Sequence, residues 1–376
     1  MAVTFFISGD IVPKDNQPET FESESGRIFS QLKSYIAAAN YAIANLEAPI
    51  IKGKPTPIKK SGPCLKTMPA TIEALKEIGF NIVTLANNHF FDQGQNGVDT
   101  TIECCNQQNI MMVGGGKTYQ LARKPLMLES EGKNIAIINA CENEFSIANS
   151  EHGGSNPLDL INMQKDIAQV RAVADYIIII VHGGVERYQY PTPRMKRWYR
   201  YFVDLGADAV INHHQHCING YEVYKGKPIF YGLGNFYFPP LKGMPKQDSW
   251  NYGYAVSLTL NGNIDFQLIP YIQNVGGITL RDKKEFGKEI ELLNLPIYDD
   301  YLLQQKYDEY ILDHEYTIKE QLLPTFLRGR IFSGLARRGL IGKMYRNRQL
   351  FSLKNKINCE SHQEMLMRLF TLLTKW

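Results

Sequence analysis

The chain has 376 residues, of which 44% are hydrophobic and 21% are charged, as in ordinary globular proteins that bury a substantial core. Its formal net charge of +3 is too small to indicate a nucleic-acid partner, since domains that bind nucleic acid carry a strong basic excess. The 6 cysteines include no CxxC pair, and no segment approaches the roughly 20 apolar residues that span a bilayer. Because the first residues also lack the basic region of a signal peptide, we predict a cytoplasmic protein with reduced thiols and leave membrane association open.

The predicted elements alternate between strands and helices over the first two thirds of the chain. In chain order they are strands at 3–7, 41–44, 81–85, 110–113, 135–139, 176–181 and 209–211, with helices at 28–39, 70–78, 98–107 and 198–205. The runs at 135–139 and 176–181 are almost continuously β-branched, which is typical of strands buried on both faces. This alternation predicts a layered α/β fold.

After about Leu280 the pattern changes to long charged helices, including 301–323 and 364–374. We therefore divide the chain into a domain at 1–279 and a helical, partly basic C-terminal region at 280–376. No acidic residue lies between Glu320 and Glu360, whereas basic residues accumulate there, namely Arg328, Arg330, Arg337, Arg338, Lys343, Arg346, Arg348, Lys354 and Lys356. This run is either a solvated helical face or a surface for an anionic membrane, a polymer or a synthase assembly. We predict that the region packs beside the core and adjusts access rather than chemistry.

Three segments that follow predicted strands carry histidine, at 85–89, 180–184 and 211–216. In an extended segment residues two apart point the same way, so His214 and His216 should reach one locus while His213 faces away. Strand ends of this kind meet at the carboxyl edge of a sheet, where α/β folds build their sites. Imidazole suits zinc, manganese and iron. The pattern indicates a metal-dependent hydrolase; a histidine cluster without a metal is the alternative.

Other strand ends offer oxygen ligands and a proton donor. Asp10 and Glu47 could supply the carboxylates that a divalent ion needs, and Asn88 an amide oxygen. His89 would then lie beside the ion as a general acid. His182 follows a β-branched run, and the two glycines after it allow a ligand close to the backbone. Asp92 and Gly94 suit a tight turn, so we assign them a structural role.

These motifs together resemble the bacterial poly-γ-glutamate capsule-synthesis proteins (CapA-type), a branch of the calcineurin-like metallophosphoesterases, over roughly residues 3–240. The resemblance implies a four-layer αββα sandwich, a metallophosphoesterase-like fold, here with a C-terminal helical appendage. It also implies a ligand set and a catalytic acid, His89. The implied metal ligands are Asp10, Glu47, Asn88, His182, His214 and His216. The implied supporting residues are Glu186 and Asn235.

The sequence departs from this family pattern in several places. The superfamily has a histidine two residues after the first aspartate, where this chain has Val12, and Glu47 replaces the carboxylate of a Gly-Asp motif. These changes leave open whether the site holds one divalent ion or two, of manganese, iron or zinc. The family's usual proline within the histidine cluster is Gln215 here, and we expect this protein to differ from the many members that carry an N-terminal membrane anchor.

Three functions remain open at this stage. The first is hydrolysis of a phosphoester or an anionic polymer in the synthesis of capsule, poly-γ-glutamate or another surface polysaccharide, with a small anionic molecule or a polymer as substrate. Lys59, Lys60 and Arg187 could hold such an anion, or they are ordinary exposed charges. The second is hydrolysis of a γ-glutamyl or peptide amide by the same metal chemistry. The third is a non-catalytic, polymer-binding subunit of a capsule synthase.

Overall fold

The computed structural model describes residues 2–13, 24–239, 248–274, 276–314 and 347–374. The strands in this part of the chain are β1 (Val3–Ile11), β2 (Tyr41–Leu46), β3 (Ile82–Thr84), β4 (Met111–Val113), β5 (Gly115–Gly116), β6 (Leu126–Ser130), β7 (Lys133–Cys141), β8 (Gly154–Ser155), β9 (Tyr176–His182), β10 (Ala209–His213), β11 (Tyr221–Tyr224), β12 (Lys227–Phe230), β13 (Asn235–Tyr237), β14 (Tyr252–Leu260), β15 (Ile264–Asn274) and β16 (Gly277–Leu280). The helices include α1 (Lys33–Ala37), α2 (Ala70–Ile78), α3 (Gly94–Gln107), α4 (Tyr119–Arg123), α5 (Leu160–Arg171), α6 (Pro193–Asp204), α7 (Lys283–Tyr298), α8 (Asp300–Asp313), α9 (Asn347–Asn358) and α10 (Glu360–Thr374).

Most of these strands form two sheets. Within the described residues the first sheet has eight strands in the order β16-β15-β14-β1-β2-β3-β4, with β13 paired to β1. The second sheet has six strands in the order β11-β12-β10-β9-β7-β6. Strands β1 to β4 run parallel, as do β7, β9, β10 and β12. Parallel neighbours need crossover connections, which explains the alternation of strands and helices along the sequence.

Three hydrophobic clusters define the layers of the fold. One lies between the sheets and contains Ile43 of β2 and Ile180 of β9. A second contains Phe6 of β1 with Leu75 of α2, and a third joins β9 to α5 and α6. Each sheet is therefore covered by helices on one face and by the other sheet on the opposite face. The predicted four-layer αββα sandwich is confirmed.

Helix α6 begins earlier than its apolar run predicted. The side chain of Thr192 accepts a hydrogen bond from the backbone N–H of Met195, and Pro193 occupies the first turn. A threonine cap followed by proline is a strong start signal because it satisfies a free backbone donor and presets the backbone angle. The helix consequently extends to the site edge and brings Arg194 there.

The region after Leu280 is helical wherever it is described. Phe286 and Ile290 of α7 join the hydrophobic cluster between the sheets, and α8 and α10 pack on Val185 and Tyr188, just after β9. Most of the basic run, residues 315–346, lies outside the described residues, so its contact with a membrane or a partner stays a prediction. Among the helices that the structure describes, none has the length and apolar character needed to cross a membrane.

Candidate metal centre

The predicted ligands lie where parallel strands of both sheets end. Asp10 lies in β1 beside Asn45 of β2, and Glu47 follows β2 directly. In the second sheet His182 ends β9 opposite His213, which ends β10. Because parallel strands share a carboxyl edge, carboxylates from one sheet and imidazoles from the other arrive at one place.

Glu47 lies at the middle of this group. Its Oε1 is 3.6 Å from Nε2 of His182 and 3.6 Å from Nε2 of His216. The residue is fully buried, and within the described residues neither carboxylate oxygen has a hydrogen-bond partner. Buried carboxylates are normally paired or bound to a metal, because leaving the charge alone costs several kcal/mol. A divalent cation is the partner that suits this arrangement.

Two sets of potential ligand atoms share this carboxylate. One set is Glu47, His182 and His214, the other is Asp10, Glu47 and His216, and the atoms of each set lie within 4.8 Å of one another. The Oδ1 atom of Asn88 is 3.1 Å from Nε2 of His182, beside the first set. These oxygen and nitrogen donors fit manganese, iron or zinc. All six predicted ligands therefore converge; that they bind an ion stays a prediction.

Burial and mutual charge shift the pKa values of the ligands in different directions. Burial raises the pKa of Glu47 well above its ordinary value. Burial alone would lower the pKa of His216, but the carboxylates of Glu47 and Asp10 raise it to about 10. Burial would raise the pKa of Asp10, but the hydrogen bond from His216 holds it well below the usual range. Burial and the neighbouring His214 lower the pKa of His182, which keeps its ring neutral and able to bind a metal.

The extended backbone predicted for the histidine cluster is wrong, although His214 and His216 do reach the same place. His214 and His216 have φ angles of +99° and +54°, so the segment is not extended. Their rings nevertheless lie 6.1 Å apart between centroids. His213 does not face away, since its Nδ1 is 3.7 Å from Oδ1 of Asp10. The turn, rather than strand alternation, brings three imidazoles to the same side.

The predicted acid His89 is oriented by Asp92, to which the sequence analysis gave only a structural role in a turn. Its Nδ1 lies 2.6 Å from Oδ2 of Asp92, and Nζ of Lys60 lies 3.2 Å from the same nitrogen. Lys60 also forms an ion pair with Asp92. Asp92 is fully buried and orients the histidine, so its role is more than that of a turn residue. Burial and then Lys60 lower the pKa of His89.

The predicted supporting and substrate-binding residues lie at different distances from the metal ligands. Asn235 Oδ1 lies 2.9 Å from Nδ1 of His216 and orients that ring, whereas the Lys59 side chain is exposed. Arg187 packs over the ring of Trp250, which in turn contacts His216. Its guanidinium pairs with Asp248 at 3.0 Å.

Glu186 lies in the loop after His182, with its outer surface exposed and its carboxyl partly desolvated by the surrounding protein. Desolvation would raise the pKa of Glu186, but the positive potential of His214 and His216 lowers it. The Glu186 carboxylate therefore interacts electrostatically with these imidazoles. Its predicted supporting role stays a prediction.

Several side chains at the site were not singled out by sequence reasoning. Asn45 donates to Oδ1 of Asp10 at 2.6 Å and lies 3.2 Å from Nδ1 of His182, so it positions one ligand from each sheet. The position of Asn45 at the end of a predicted strand, two residues before Glu47, could have indicated that it belongs to the site. Glu144 lies in the loop after β7, with Oε1 3.9 Å from Nε2 of His214. Nothing in its local sequence marks it.

Comparison with known proteins shows the family of this chain. The family described as bacterial capsule synthesis protein PGA_cap matches residues 4–240. The chain belongs to this family. That match includes every predicted ligand, and it confirms the resemblance drawn from the motifs.

Two curated relatives are similar over the same part of the chain. The capsule biosynthesis protein CapA of Bacillus anthracis is 29% identical over 219 residues, 56% of this chain and 53% of that protein. The PGA biosynthesis protein CapA of Bacillus subtilis (strain 168) is 29% identical over 222 residues, 58% of each. The chain thus spans little more than half the length of these relatives.

Solved structures resemble the fold at low identity. A phosphatase from Mycoplasma pneumoniae has a TM-score of 0.49 and 16% identity, covering 78% of this chain and 99% of that one. The calcineurin-like phosphoesterase YfkN from Bacillus subtilis has a TM-score of 0.42 and 14% identity, covering 81% and 98%.

Proposed function

We propose that this chain is a metal-dependent hydrolase that acts on a phosphoester or an anionic polymer in capsule or poly-γ-glutamate synthesis. The observation that carries the proposal is the buried carboxylate of Glu47, which lies between His182 and His216 without a hydrogen-bond partner in the described residues. The names of the two CapA relatives support capsule synthesis as the context.

The residues that would hold the ion are Asp10, Glu47, Asn88, His182, His214 and His216. Bound there, a divalent ion would supply Lewis acidity, which lowers the pKa of coordinated water from 15.7 toward about 7 and neutralises charge on a substrate oxygen. Asn45 and Asn235 fix the orientation of the ligands through their hydrogen bonds to Asp10 and His216. Such orientation supports affinity because the rings need not reorganise on binding.

The proton chemistry belongs to His89. Nδ1 of His89 donates to Asp92, which is also paired with Lys60, and this leaves Nε2 to exchange a proton with a leaving group. The imidazole is 8% exposed, so it is shielded from bulk water but still reachable. The side chain therefore has the restrained orientation that a general acid needs.

Positive charge near the site suits an anionic substrate. Lys60 is held beside His89 by its ion pair with Asp92, and Arg187 packs on Trp250 next to His216. Lys60 can contribute to the local potential even while it is paired because its side chain is buried, whereas the exposed Arg187 contributes less because water screens it. This arrangement favours a phosphoryl or carboxylate group over a neutral substrate.

The decisive experiment measures metal content and turnover in the same variants. Purified full-length protein is loaded with Mn²⁺ and tested on phosphomonoesters, phosphodiesters and γ-glutamyl amides. We expect phosphoester hydrolysis by the wild type and a loss of roughly 10²- to 10⁴-fold in His89→Ala with its metal retained. His214→Ala should lose metal. His314→Ala, which removes an exposed histidine at the end of α8, should change neither.

Each alternative has its own outcome. Turnover of γ-glutamyl amides alone would replace the phosphoester assignment with amide hydrolysis. Bound metal without turnover on any substrate class would favour the non-catalytic subunit. Full metal retention in His214→Ala would contradict the ligand assignment itself.

A further inference from the structure

The C-terminal helical hairpin, α9 and α10, meets the loop after β7 close to the metal centre. At the junction of the two helices Ser361 N–H donates to Oε2 of Glu142 at 3.2 Å, and Glu360 accepts from the backbone N–H of Asn143 at 2.8 Å. Arg194 of α6 joins both sides, since it donates to Ser361 Oγ at 2.8 Å and pairs with Glu142. The junction is thus held in one orientation against the loop.

This contact assembles a second set of metal-binding side chains. One ligand atom from each of Glu144, Cys359 and His362 lies within 4.8 Å of the others. In a tetrahedral zinc site, bonds of about 2.0–2.3 Å place neighbouring ligand atoms roughly 3.3–3.8 Å apart. Side-chain rotation would close the difference, because Glu144 and His362 are only partly buried. Cys359, at 1% exposure, is the fixed member.

The surroundings of this cluster favour a cation. Glu142, Glu144 and Glu360 converge there and outnumber the two nearby cations, Arg194 on Glu142 and Lys356 near Glu144 and Cys359. Burial followed by the charges of Glu144 and Glu142 raises the pKa of the Cys359 thiol. Asn355 contacts both Glu144 and His362 through Nδ2, at 3.4 Å each. Its Oδ1 is buried and accepts no hydrogen bond from any described residue. An unpaired amide oxygen beside a carboxylate and an imidazole is an available oxygen ligand.

We propose that Glu144, Cys359 and His362 form an auxiliary cation site for a zinc-class ion, with Asn355 beside it as a potential fourth donor. A thiolate with an imidazole selects zinc or cobalt over magnesium and calcium, which prefer oxygen ligands. Binding breaks the S–H bond of Cys359, releases that proton to solvent and leaves the electron pair on sulfur for the metal. No oxidant or reductant is needed.

The site would connect the hairpin to the first metal centre. Glu144 belongs to the auxiliary set, and its Oε1 lies 3.9 Å from His214 Nε2. An ion bound to Glu144 would fix the position of this carboxylate relative to His214, a ligand of the first centre. The proposal does not depend on hydrolysis, because the two ligand sets share no residue.

Cobalt substitution tests the proposal, because only the auxiliary set contains sulfur. Metal-free full-length protein is titrated with Co²⁺, and the near-ultraviolet thiolate-to-cobalt charge-transfer band is recorded. We expect this band in the wild type and its bleaching by Zn²⁺. Cys359→Ser should abolish the band. His362→Ala should weaken cobalt binding by at least roughly 10- to 100-fold, which is the effect of removing a residue that only hydrogen-bonds to a metal ligand.

Two control variants locate the signal. Cys104→Ser removes another buried cysteine, in α3, and should leave the band unchanged. His216→Ala removes a ligand of the first centre and should also leave it unchanged. Circular dichroism of each metal-free variant checks folding, and His362→Ala keeps the test valid if Cys359→Ser does not fold. Absence of the band in the wild type, or its survival in Cys359→Ser, would overturn the proposal.

Discussion

Replacing Glu47 by glutamine should stabilise the metal-free protein and destabilise the metal-loaded one relative to wild type. The carboxylate is buried without a hydrogen-bond partner in the described residues, and burial raises its pKa well above the ordinary value. A folded state that binds a proton more tightly than the unfolded chain loses stability as the pH rises above the unfolded pKa. Glutamine has the same shape and does not titrate.

The size of this effect follows from the linkage of protons to folding. Each pH unit between the unfolded pKa and the raised folded pKa of Glu47 removes about 1.36 kcal/mol from the stability of the wild type. With about 2.1 cal/mol/K of unfolding entropy per residue, 376 residues give about 0.8 kcal/mol/K. Metal-free Glu47→Gln should then melt above wild type at neutral pH, by about 1.7 °C for each pH unit by which the folded pKa exceeds the unfolded one, with the difference closing toward pH 5.

Added metal should reverse the order. At a free metal concentration of 1,000 times Kd the wild type gains about 4.1 kcal/mol, or about 5 °C. The glutamine variant should gain little because it has lost the anionic ligand shared by both sets.

The assay is thermal unfolding by circular dichroism with chelator and with Mn²⁺ at several pH values. Glu129→Gln, at an exposed glutamate of β6, is the matched control. If metal-free Glu47→Gln melted below wild type, or still gained stability from metal, the reasoning on this carboxylate would be refuted.

The remaining predictions concern metal affinity and the docking of the hairpin. Metal affinity should rise with pH by about tenfold per unit for each proton released, since His216, whose pKa the neighbouring carboxylates raise to about 10, must lose its proton to bind; pH-independent titration calorimetry would contradict the assigned ligands. Arg194→Met should cost roughly 3–5 kcal/mol, because it leaves Glu142 buried without its ion pair. Hydrogen exchange should show the loss in α9 and α10, whereas Arg197→Met, at an exposed position of the same helix, should stay within about 0.5 kcal/mol of wild type.

The residues of the metal centre could be predicted because a general rule of α/β folds places them. Asp10, Glu47 and His182 each lie at or just beyond the carboxyl end of a parallel strand, so locating the strands was sufficient to bring them together. The turn that orients His214 and His216 could not be predicted, since positive φ at histidine has no sequence signature comparable to that of glycine.

Contacts between distant segments were the other limit. Glu142 and Ser361 are 219 positions apart, and no local pattern connects them. Asp92 was nearer, three residues after His89, but the same spacing also suits a turn. Residues whose role depends on a partner far away in sequence therefore emerged only from the folded chain.

The division of ligands between the sheets has a mechanical consequence. Asp10 and Glu47 come from the first sheet, and His182, His214 and His216 come from the second, while the backbone ladders hold each sheet together only internally. At this edge an ion would act as a cross-link between the two layers, in addition to their apolar packing and to side-chain hydrogen bonds such as those of Asn45. Metal binding would thus set how far the sandwich can open at the mouth of the site, and removing the ion would loosen the strand ends before it loosened the core.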